Sequence, residues 1–470
     1  ENTMHYDSIG RPAHQRVRHN GRTLLDKSYL WGDNLRLLQT LDTINGRSVR
    51  YDYDIFGSLS GAVFGDGSRQ WRNPDLMGNV YDSPDRTDRS YGRGGQLRED
   101  RKWRYYYDSH GNLVLKTMRR SGPSLETGMR DEFLAWQSGD YAYTWQGNGM
   151  LRSVTRPDGK TVTFRYDALG RRIEKVFDGR VYRCLWDGDV ILHEWEYAEA
   201  DRPNTVVTET GEVTLDRPEP VENLITWIYD SDSYVSTAKI VGDRHYSIIS
   251  DYIGRPVQAY DDNGNVVWQA DYDIYGNLRN LHGCRQFIPF RQLGQYEDEE
   301  TGLYYNRFRY YDPRIGNYIS QDPIRLAGNN PTLYGYVGDC NWDIDIFGLS
   351  DSSKLGAALG PAPGVNHDAH HIVMANSTDS RMVSLRNQME NFTPPIGKNS
   401  KENGIWLPRQ SKDRIAGTKV TAHKGEGIHS DAYKQSIYDR LNNKGREEFI
   451  GELDLIKEEL NDGKTFKCKS

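Results

Sequence analysis

The amino-acid sequence predicts a multi-domain protein in which an all-β region of repeated hairpins is followed by a small α+β domain. The chain has 470 residues, which is too long for a single ordinary hydrophobic core, so two or more structural units are expected. Its 31 Tyr and 46 Gly against 12 Phe favour many short strands joined by glycine turns. After residue 350 tyrosine becomes scarce and helical patterns begin, so the fold class is predicted to change there.

The β region is built from a repeated unit in which Tyr-Asp is followed, after two or three residues, by Gly. Copies begin at Tyr6, Tyr53, Tyr107, Tyr166, Tyr260 and Tyr272. Each copy is typical of a strand that ends in Tyr, a turn that Asp opens and Gly closes with positive φ, and a return strand. One hairpin cannot bury a face alone, so neighbouring hairpins are predicted to form a continuous sheet. Because the spacing is irregular, a generic tyrosine-rich β-sandwich stays open as the alternative.

These units resemble the YD repeats of Rhs proteins and of the C components of insecticidal toxin complexes. The resemblance implies a hollow, cocoon-like β-shell that encloses a variable C-terminal toxin. Residues 291–313, which include Thr-Gly-Leu-Tyr-Tyr-Asn-Arg-Phe-Arg-Tyr-Tyr-Asp-Pro, are similar to the conserved end of the Rhs core. The chain is thereby divided into a shell at 1–290, a core end at 291–349 and a toxin domain at 350–470. The small number of copies predicts a fragment of a longer shell, whose missing N-terminal region would engage the delivery apparatus.

Three further features of the sequence argue against a membrane-spanning helix, a signal peptide and a cysteine-based framework. No apolar run approaches the ~18 residues that a membrane-spanning helix needs, so no transmembrane segment is predicted. The N-terminal residues do not form a signal peptide, since a basic start and an apolar segment are both lacking. The four cysteines, Cys184, Cys284, Cys340 and Cys468, lie far apart, which argues against a zinc knuckle or a disulfide framework.

The predicted core end closes on Asp345-Ile346-Phe347-Gly348-Leu349, followed by Ser350. In the Rhs resemblance this motif implies self-cleavage between Leu349 and Ser350, with Asp322 and Asp345 as the two carboxylates of an aspartyl-type site. Asp339 and Asp343 are weaker candidates for the same role. Ile346 stands where the family usually has proline, which could alter how the backbone presents Asp345. The alternative is that these aspartates only form turns.

The C-terminal region combines helical stripes with a group of histidines. Met382, Leu385 and Met389 predict a helix that ends before Pro394, and a second stripe from Phe449 to Leu460 predicts a helix closed by Gly463. Trp406 and Leu407 are predicted to belong to the core. The segments Ala369-His370-His371, Asn403-Gly404-Ile405-Trp406-Leu407-Pro408 and His423 to His429 with Tyr433 resemble the AHH-type toxins of the HNH/endonuclease VII superfamily.

That resemblance implies a small HNH-like domain of the treble-clef or ββα-metal kind with one divalent ion, either Mg²⁺ or Zn²⁺. It implies that His370, His423 and His429 bind the ion and that His371 is the general base, which Asn403 orients through a hydrogen bond. Imidazoles suit both tasks near neutral pH. Adjacent strand residues point to opposite faces, so His370 and His371 are expected to differ in role. His367 precedes the motif and is interpreted as structural.

Charge supports a nucleic-acid partner only locally. Between Lys398 and Lys424 there are seven basic residues against two acidic ones. Lys412, Arg414, Lys419 and Lys424 are therefore predicted to contact backbone phosphates, with an ordinary solvated surface as the alternative.

Together these resemblances imply an antibacterial Rhs toxin of the polymorphic class, made in the bacterial cytoplasm and delivered by contact or secretion, for instance by a type VI system. Its released domain would act in the target-cell cytoplasm as a metal-dependent endonuclease, with DNA favoured over RNA, and a cognate immunity protein would block it in the producer. Two alternatives stay open. One is a YD-repeat adhesion protein with an inert cap, and the other is a deaminase, although no cysteine ligands or His-x-Glu signature support it.

Overall fold

The computed structural model describes the chain except for residues 9–10, 33–35, 56, 119–134, 231–232, 326–331, 350–358, 360–366, 375–376, 378, 398–399, 409, 424–425, 429 and 467–470, and the side chain of residue 368. The chain divides into two compact units. The first unit contains Glu1–Leu326 and Asn330–Gly348 and is called the β unit. The second unit contains Leu349–Ser470 and is called the C-terminal unit.

Within its described residues, the β unit is made of antiparallel sheets. A seven-stranded sheet contains β1 (Asn2–Tyr6), β2 (Pro12–His19), β3 (Arg22–Trp31), β4 (Leu37–Asp42), β5 (Arg47–Tyr53), β6 (Leu59–Phe64) and β7 (Arg69–Trp71). Strands β8 (Asn73–Pro74) and β9 (Val80–Tyr81) form a separate pair. A 16-stranded sheet contains β10 (Ser90–Tyr91), β11 (Leu97–Glu99), β12 (Trp103–Tyr107), β13 (Leu113–Met118), β14 (Tyr141–Trp145), β15 (Leu151–Thr155), β16 (Thr161–Tyr166), β17 (Arg172–Phe177), β18 (Arg180–Asp187), β19 (Val190–Ala198), β22 (Glu222–Tyr229), β23 (Ser236–Val241), β24 (Arg244–Ser250), β25 (Pro256–Tyr260), β26 (Val266–Tyr272) and β27 (Leu278–His282). The hairpin of β20 (Thr205–Val207) and β21 (Val213–Leu215) lies between β19 and β22 in the chain.

The turns between these strands have the predicted chemistry. Tyr107 ends β12, and the Asp108 carboxylate accepts a hydrogen bond from the backbone N of Asn112 at 2.8 Å. Gly111 closes the turn with φ +81°, a conformation that costs glycine little because it has no Cβ. In the same way, the backbone N of Asn277 donates a hydrogen bond to the carboxylate of Asp273. The prediction of strands that end in Tyr and turn through Asp and Gly is confirmed.

The tyrosines of the repeat also join neighbouring hairpins. Tyr53, Tyr166 and Tyr272 donate their hydroxyl protons to backbone carbonyls 15 or 16 residues earlier in the chain, at Leu37, Leu151 and Pro256, over 2.7 to 3.0 Å. A tryptophan takes this place in other copies, where the indole nitrogens of Trp145 and Trp186 donate to Leu113 and Arg172 at 2.8 Å. Each ring is therefore packed against the sheet while its polar atom satisfies a backbone acceptor.

The last part of the β unit is buried against the large sheet. It contains β28 (Tyr296–Asp298), β29 (Leu303–Asn306), β30 (Arg309–Asp312) and β31 (Asn317–Tyr318), which pair in chain order. Leu303, Tyr305 and Tyr310 share a buried cluster with Leu151 and Phe164 of the large sheet. Arg309 and Asp312 are consequently enclosed along with these strands.

The C-terminal unit is α+β. Its described strands and α-helices are β32 (His367–His371), β33 (Gly404–Pro408), α1 (Ser380–Glu390), α2 (Asp431–Leu441) and α3 (Arg446–Asn461). Helix α1 ends before Pro394 and buries Met382, Leu385 and Met389, as predicted. Helix α3 buries Phe449, Leu453, Ile456 and Leu460, and Gly463 beyond it has φ +87°. The predicted fold class, an all-β repeat region followed by a small α+β domain, is confirmed. None of the helices described is long and apolar enough to cross a membrane.

Candidate active sites

In the C-terminal unit the two adjacent histidines lie on a two-stranded sheet. β32 pairs antiparallel with β33, so that His370 is opposite Ile405 and His371 is opposite Gly404. Because side chains alternate along a strand, His370 shares its face with Leu407 and Ile405, which belong to the core, and His371 lies on the other face. Both imidazoles are nevertheless nearly enclosed, with 2% of His370 and 8% of His371 exposed.

A buried tyrosine sets the orientation of His370. Tyr433 on α2 donates its hydroxyl proton to the carbonyl of Ile372 at 3.1 Å, and its oxygen lies 2.8 Å from Nε2 of His370. A carbonyl can only accept and the hydroxyl has one proton, so His370 is the donor in the second bond. In the neutral imidazole the lone pair is then on Nδ1. Burial raises the pKa of Tyr433 well above its usual value, which keeps the phenol protonated.

His423 lies beside this pair. Its ring centroid is 5.2 Å from that of His370, and its backbone N donates to the carbonyl of Pro408 at 2.8 Å, which ties the loop to the end of β33. The third predicted metal ligand, His429, lies outside the described residues. Among the residues that are described, no group of three or more His, Cys, Asp or Glu side chains could hold a metal ion. The predicted three-histidine site therefore stays a prediction.

Asn403 is fully buried and supports the segment that follows His371. Its Nδ2 donates to the carbonyl of Val373 at 2.9 Å, and its Oδ1 accepts from the backbone N of Val373 at 2.7 Å. Its own carbonyl accepts from the backbone N of Ile372 at 2.9 Å. These three bonds hold the chain next to His371 in place. The predicted hydrogen bond from Asn403 to the base itself stays a prediction.

The four basic residues predicted to bind phosphates have different surroundings. Lys412 and Lys419 are exposed, and Lys424 lies outside the described residues. Nη2 of Arg414 donates to both carboxylate oxygens of Glu426, at 2.7 Å each. Burial acts to raise the pKa of Glu426, but hydrogen bonds from the backbone N of Ala422 and from Arg414 outweigh it and lower the pKa. Arg414 thus has a structural partner, and its predicted contact with phosphate stays a prediction.

A second candidate site lies at the end of the β unit, where the two predicted carboxylates converge on one guanidinium. Nη2 of Arg309 lies 2.9 Å from Oδ2 of Asp322 and 3.4 Å from Oδ2 of Asp345. All three side chains are at most 2% exposed. Tyr318 donates its hydroxyl proton to Oδ2 of Asp345 at 2.8 Å. The fold therefore brings together two carboxylates that are 23 positions apart in the sequence.

The segment after Asp345 is held by its backbone. Asn306 donates to the carbonyl of Asp345 at 2.8 Å, the backbone N of Phe308 donates to Phe347, and Nε of Arg309 donates to Gly348. Gly348 has φ +65°, and a Cβ built there would lie 2.4 Å from the carbonyl oxygen of Asn306. Only glycine fits, so the backbone of the motif is placed closely against β29 and β30. Of the predicted cleavage pair, Leu349 is described and Ser350 lies outside the described residues.

Sequence reasoning missed the residues that organise the boundary site. Arg309, Tyr318 and Asn306 all lie in the stretch that resembled the Rhs core end, but none was assigned a role. Nothing in a tyrosine-rich, arginine-rich segment distinguishes these side chains from their neighbours. A buried arginine between two aspartates could have been suspected, because two buried carboxylates need a counter-charge.

Two family models match this chain, and the boundary between the β unit and the C-terminal unit lies between their matches. The model of the Teneurin YD-shell family matches residues 1–332. The model of a nuclease family of the HNH/ENDO VII superfamily with conserved AHH matches residues 353–459.

Individual relatives cover most of this chain with a small part of their own. Double-stranded DNA deaminase toxin A of Burkholderia cenocepacia (strain H111) is 30% identical over 389 residues, which are 76% of this chain and 25% of that protein. The "Probable deoxyribonuclease RhsA" of Dickeya dadantii (strain 3937) is 31% identical over 269 residues, 56% of this chain and 16% of that protein. A crystal structure of TcdB2-TccC3-TEV aligns at 16% identity with a TM-score of 0.42, over 74% of this chain and 19% of that one. The chain spans a quarter or less of the length of these proteins.

Proposed function

This chain belongs to the Teneurin YD-shell family and carries a C-terminal match to the AHH nucleases, and from this premise we propose that it is an Rhs toxin whose C-terminal unit is a metal-dependent endonuclease. The observation that carries the proposal is a cluster in which buried His370, on the strand pair next to His371, contacts buried Tyr433 and half-buried His423. Such a group would bring a base and metal ligands together in one place, which phosphodiester hydrolysis requires.

The residues have distinct tasks in this proposal. His371 accepts the proton of the attacking water, and the Asn403 bonds to Val373 keep the strand end in place. His370 and His423 would hold a divalent ion, and the hydrogen bond between Tyr433 and Nε2 of His370 would fix the orientation of that imidazole. His429 would be the third ligand. The ion, when bound, would neutralise charge on the scissile phosphate and the leaving oxygen. Exposed Lys412 and Lys419 would contact neighbouring phosphates.

Metal removal tests the nuclease directly. The purified chain is incubated with plasmid DNA and, separately, with structured RNA, with and without EDTA, and Mg²⁺ or Zn²⁺ is then added back. We expect EDTA to stop cutting and one of the two ions to restore it, with DNA cut faster than RNA. Cutting that EDTA leaves unchanged would refute the metal, and the absence of cutting on either nucleic acid would refute the nuclease.

Tyr433→Phe is expected to lower the cleavage rate about 10- to 100-fold, the usual effect of removing a group that orients a metal-binding histidine. The substitution keeps the ring in the core but removes the hydroxyl that joins His370 to Ile372. The metal concentration that restores half-maximal cutting should rise as well. Tyr438→Phe, on the same helix, is the matched control and should cut within about threefold of the wild type. If Tyr438→Phe lowers the cleavage rate as much as Tyr433→Phe does, the loss reflects a general defect of the helix and contradicts the orienting role of Tyr433.

The proposal includes self-cleavage of the peptide bond between Leu349 and Ser350. Water would add to the Leu349 carbonyl carbon while one carboxylate of the Asp322 and Asp345 pair takes its proton, and the Ser350 amine would leave with a proton from the other. The support for this step is that both carboxylates contact Arg309, which also binds the carbonyl of Gly348 one residue before the cut. The chain should then run as two fragments, 1–349 and 350–470, on a denaturing gel.

In its biological setting the proposed toxin is made in a bacterium, delivered to a competitor and active in the cytoplasm of the target cell. A delivery apparatus and a cognate immunity protein that covers the histidine group are the partners this role requires. The names of two relatives support this role, since one is called a toxin and the other a probable deoxyribonuclease. Coexpression of the immunity protein, once identified, should restore growth of cells that produce residues 350–470.

A further inference from the structure

A cavity in the β unit lies beside the segment that leads to the proposed self-cleavage site. Ile346 and Phe347, which follow Asp345 in the motif, line one side of this cavity. The other walls come from the large sheet, its loops and the end of the β unit. They are mostly aromatic and include Trp186, Tyr229, Tyr234, Phe290 and Tyr305. The motif therefore faces an aromatic cavity just before the bond that is proposed to be cut.

Phe347 is held through both its ring and its backbone. The ring meets that of Tyr234 edge to face, with the centroids 6.1 Å apart and the planes at 89°. Aromatic pairs prefer this arrangement, in which the positive edge of one ring faces the negative face of the other. The carbonyl of Phe347 accepts a hydrogen bond from the backbone N of Phe308 at 3.2 Å. Phe347 is thus fixed two residues before Leu349.

The residue before Phe347 is held by a glycine of the neighbouring loop. Gly294 has φ +87°, and a Cβ built there would lie 2.4 Å from the carbonyl oxygen of Ile346 and 2.6 Å from its Cα. The loop and the motif therefore meet backbone to backbone, which only glycine allows. Leu293 and Gln295, on either side of Gly294, also line the cavity. Two adjacent residues of the motif are thus placed against one wall of the cavity.

We propose that Phe347 is the anchor of the self-cleavage motif: its ring, packed against Tyr234 in this cavity, fixes the backbone that leads to the Leu349 carbonyl. This inference rests on the proposed self-cleavage. Phe347 is a positioning residue, since it acts through the backbone while the two aspartates exchange the protons. Position matters because a displacement of about 1 Å between reacting groups costs about 100-fold in rate. Without the ring, only backbone contacts would hold the motif after Asp345.

Changes of the ring and of the wall it meets test the anchor. Freshly synthesised full chains are followed on denaturing gels at several pH values. We expect Phe347→Ala to divide at least about tenfold more slowly than the wild type, by the same factor at each pH, because the aspartates are untouched. Phe347→Leu should divide within about threefold of the wild type, since a large apolar side chain again fills this place. Tyr234→Ala, which leaves the motif unchanged, should also divide at least about threefold more slowly.

Trp342→Ala is the matched control. It removes an aromatic ring five residues before Phe347, and this ring packs against Trp31 of β3. We expect this variant to divide at the wild-type rate. Melting temperatures are compared in chains that also carry Asp345→Asn, so that all of them stay uncut. The Phe347→Leu and Tyr234→Ala chains keep the test decisive if Phe347→Ala does not fold.

The outcomes separate this inference from the proposed function. If folded Phe347→Ala or Tyr234→Ala divides as fast as the wild type, the anchor is refuted while self-cleavage stands. A loss in Phe347→Leu as large as that in Phe347→Ala also refutes it, and so does a shifted pH dependence, which would mean that the ring acts on the carboxylates. If the wild type stays one polypeptide, self-cleavage and the anchor fall together, while the nuclease stands.

Discussion

Replacing His371 with alanine is expected to lower the rate of nucleic-acid cleavage by about 10²- to 10⁴-fold, the usual contribution of a general base. The substitution removes the imidazole but should leave the strand pair intact, since the hydrogen bonds that join Asn403 to the backbone of Ile372 and Val373 do not involve that side chain. His370, on the opposite face, keeps its Tyr433 partner. Initial rates of plasmid cutting at saturating metal measure the effect on the chemical step.

His367→Ala is the matched control for this experiment. His367 lies on the same strand and, by alternation, on the same face as His371, but it precedes the motif. We expect it to cut within about threefold of the wild type, as surface changes outside a catalytic group usually do. Equal rates for wild type and His371→Ala would refute the assignment of the base, and a larger loss in His367→Ala would move the base to that residue.

A chain with Asp345→Asn is expected to remain one polypeptide, with a self-cleavage rate at least about 10³-fold below that of the wild type. The amide has nearly the same shape and can still accept from Tyr318, so the fold should be kept. The pair would nevertheless lose one of its two proton-exchanging groups. Asp322→Asn should have the same effect, because both carboxylates contact the same nitrogen of Arg309. Time courses of freshly synthesised chain on a denaturing gel measure the rates.

Asp339→Asn is the control for the boundary experiment. Asp339 is also buried and lies six residues before Asp345, and burial together with the nearby charge of Asp343 raises its pKa to about 6. Its carboxylate accepts from the backbone N of Asn341 at 2.9 Å, which is the bond of a turn. A chain with Asp339→Asn should therefore still divide after Leu349. Continued cutting in both Asp322→Asn and Asp345→Asn would exclude the aspartyl mechanism.

Features that depend on a few consecutive residues could be predicted from the sequence. The turn that Asp108 opens and Gly111 closes is local, because the carboxylate bonds to a backbone N only four residues away. Helix α1 was visible as an apolar stripe with a proline beyond it. The opposite faces of His370 and His371 follow from the alternation of a strand. The same alternation puts Trp406 and Leu407 on opposite faces, and only Leu407 belongs to the buried core cluster, so the prediction of a core position for Trp406 is wrong.

Contacts between distant parts of the chain could not be predicted in this way. The sequence by itself determined the repeat chemistry, the change of fold class near residue 350 and the residue types of both candidate sites. Only the tertiary structure decided that Arg309 joins Asp322 to Asp345, that Tyr433 orients His370, and that Arg414 pairs with Glu426. The physical reason is that a buried charge or donor must find a partner, but many distant residues could supply it. The packing of the folded chain determines which of these residues becomes the partner.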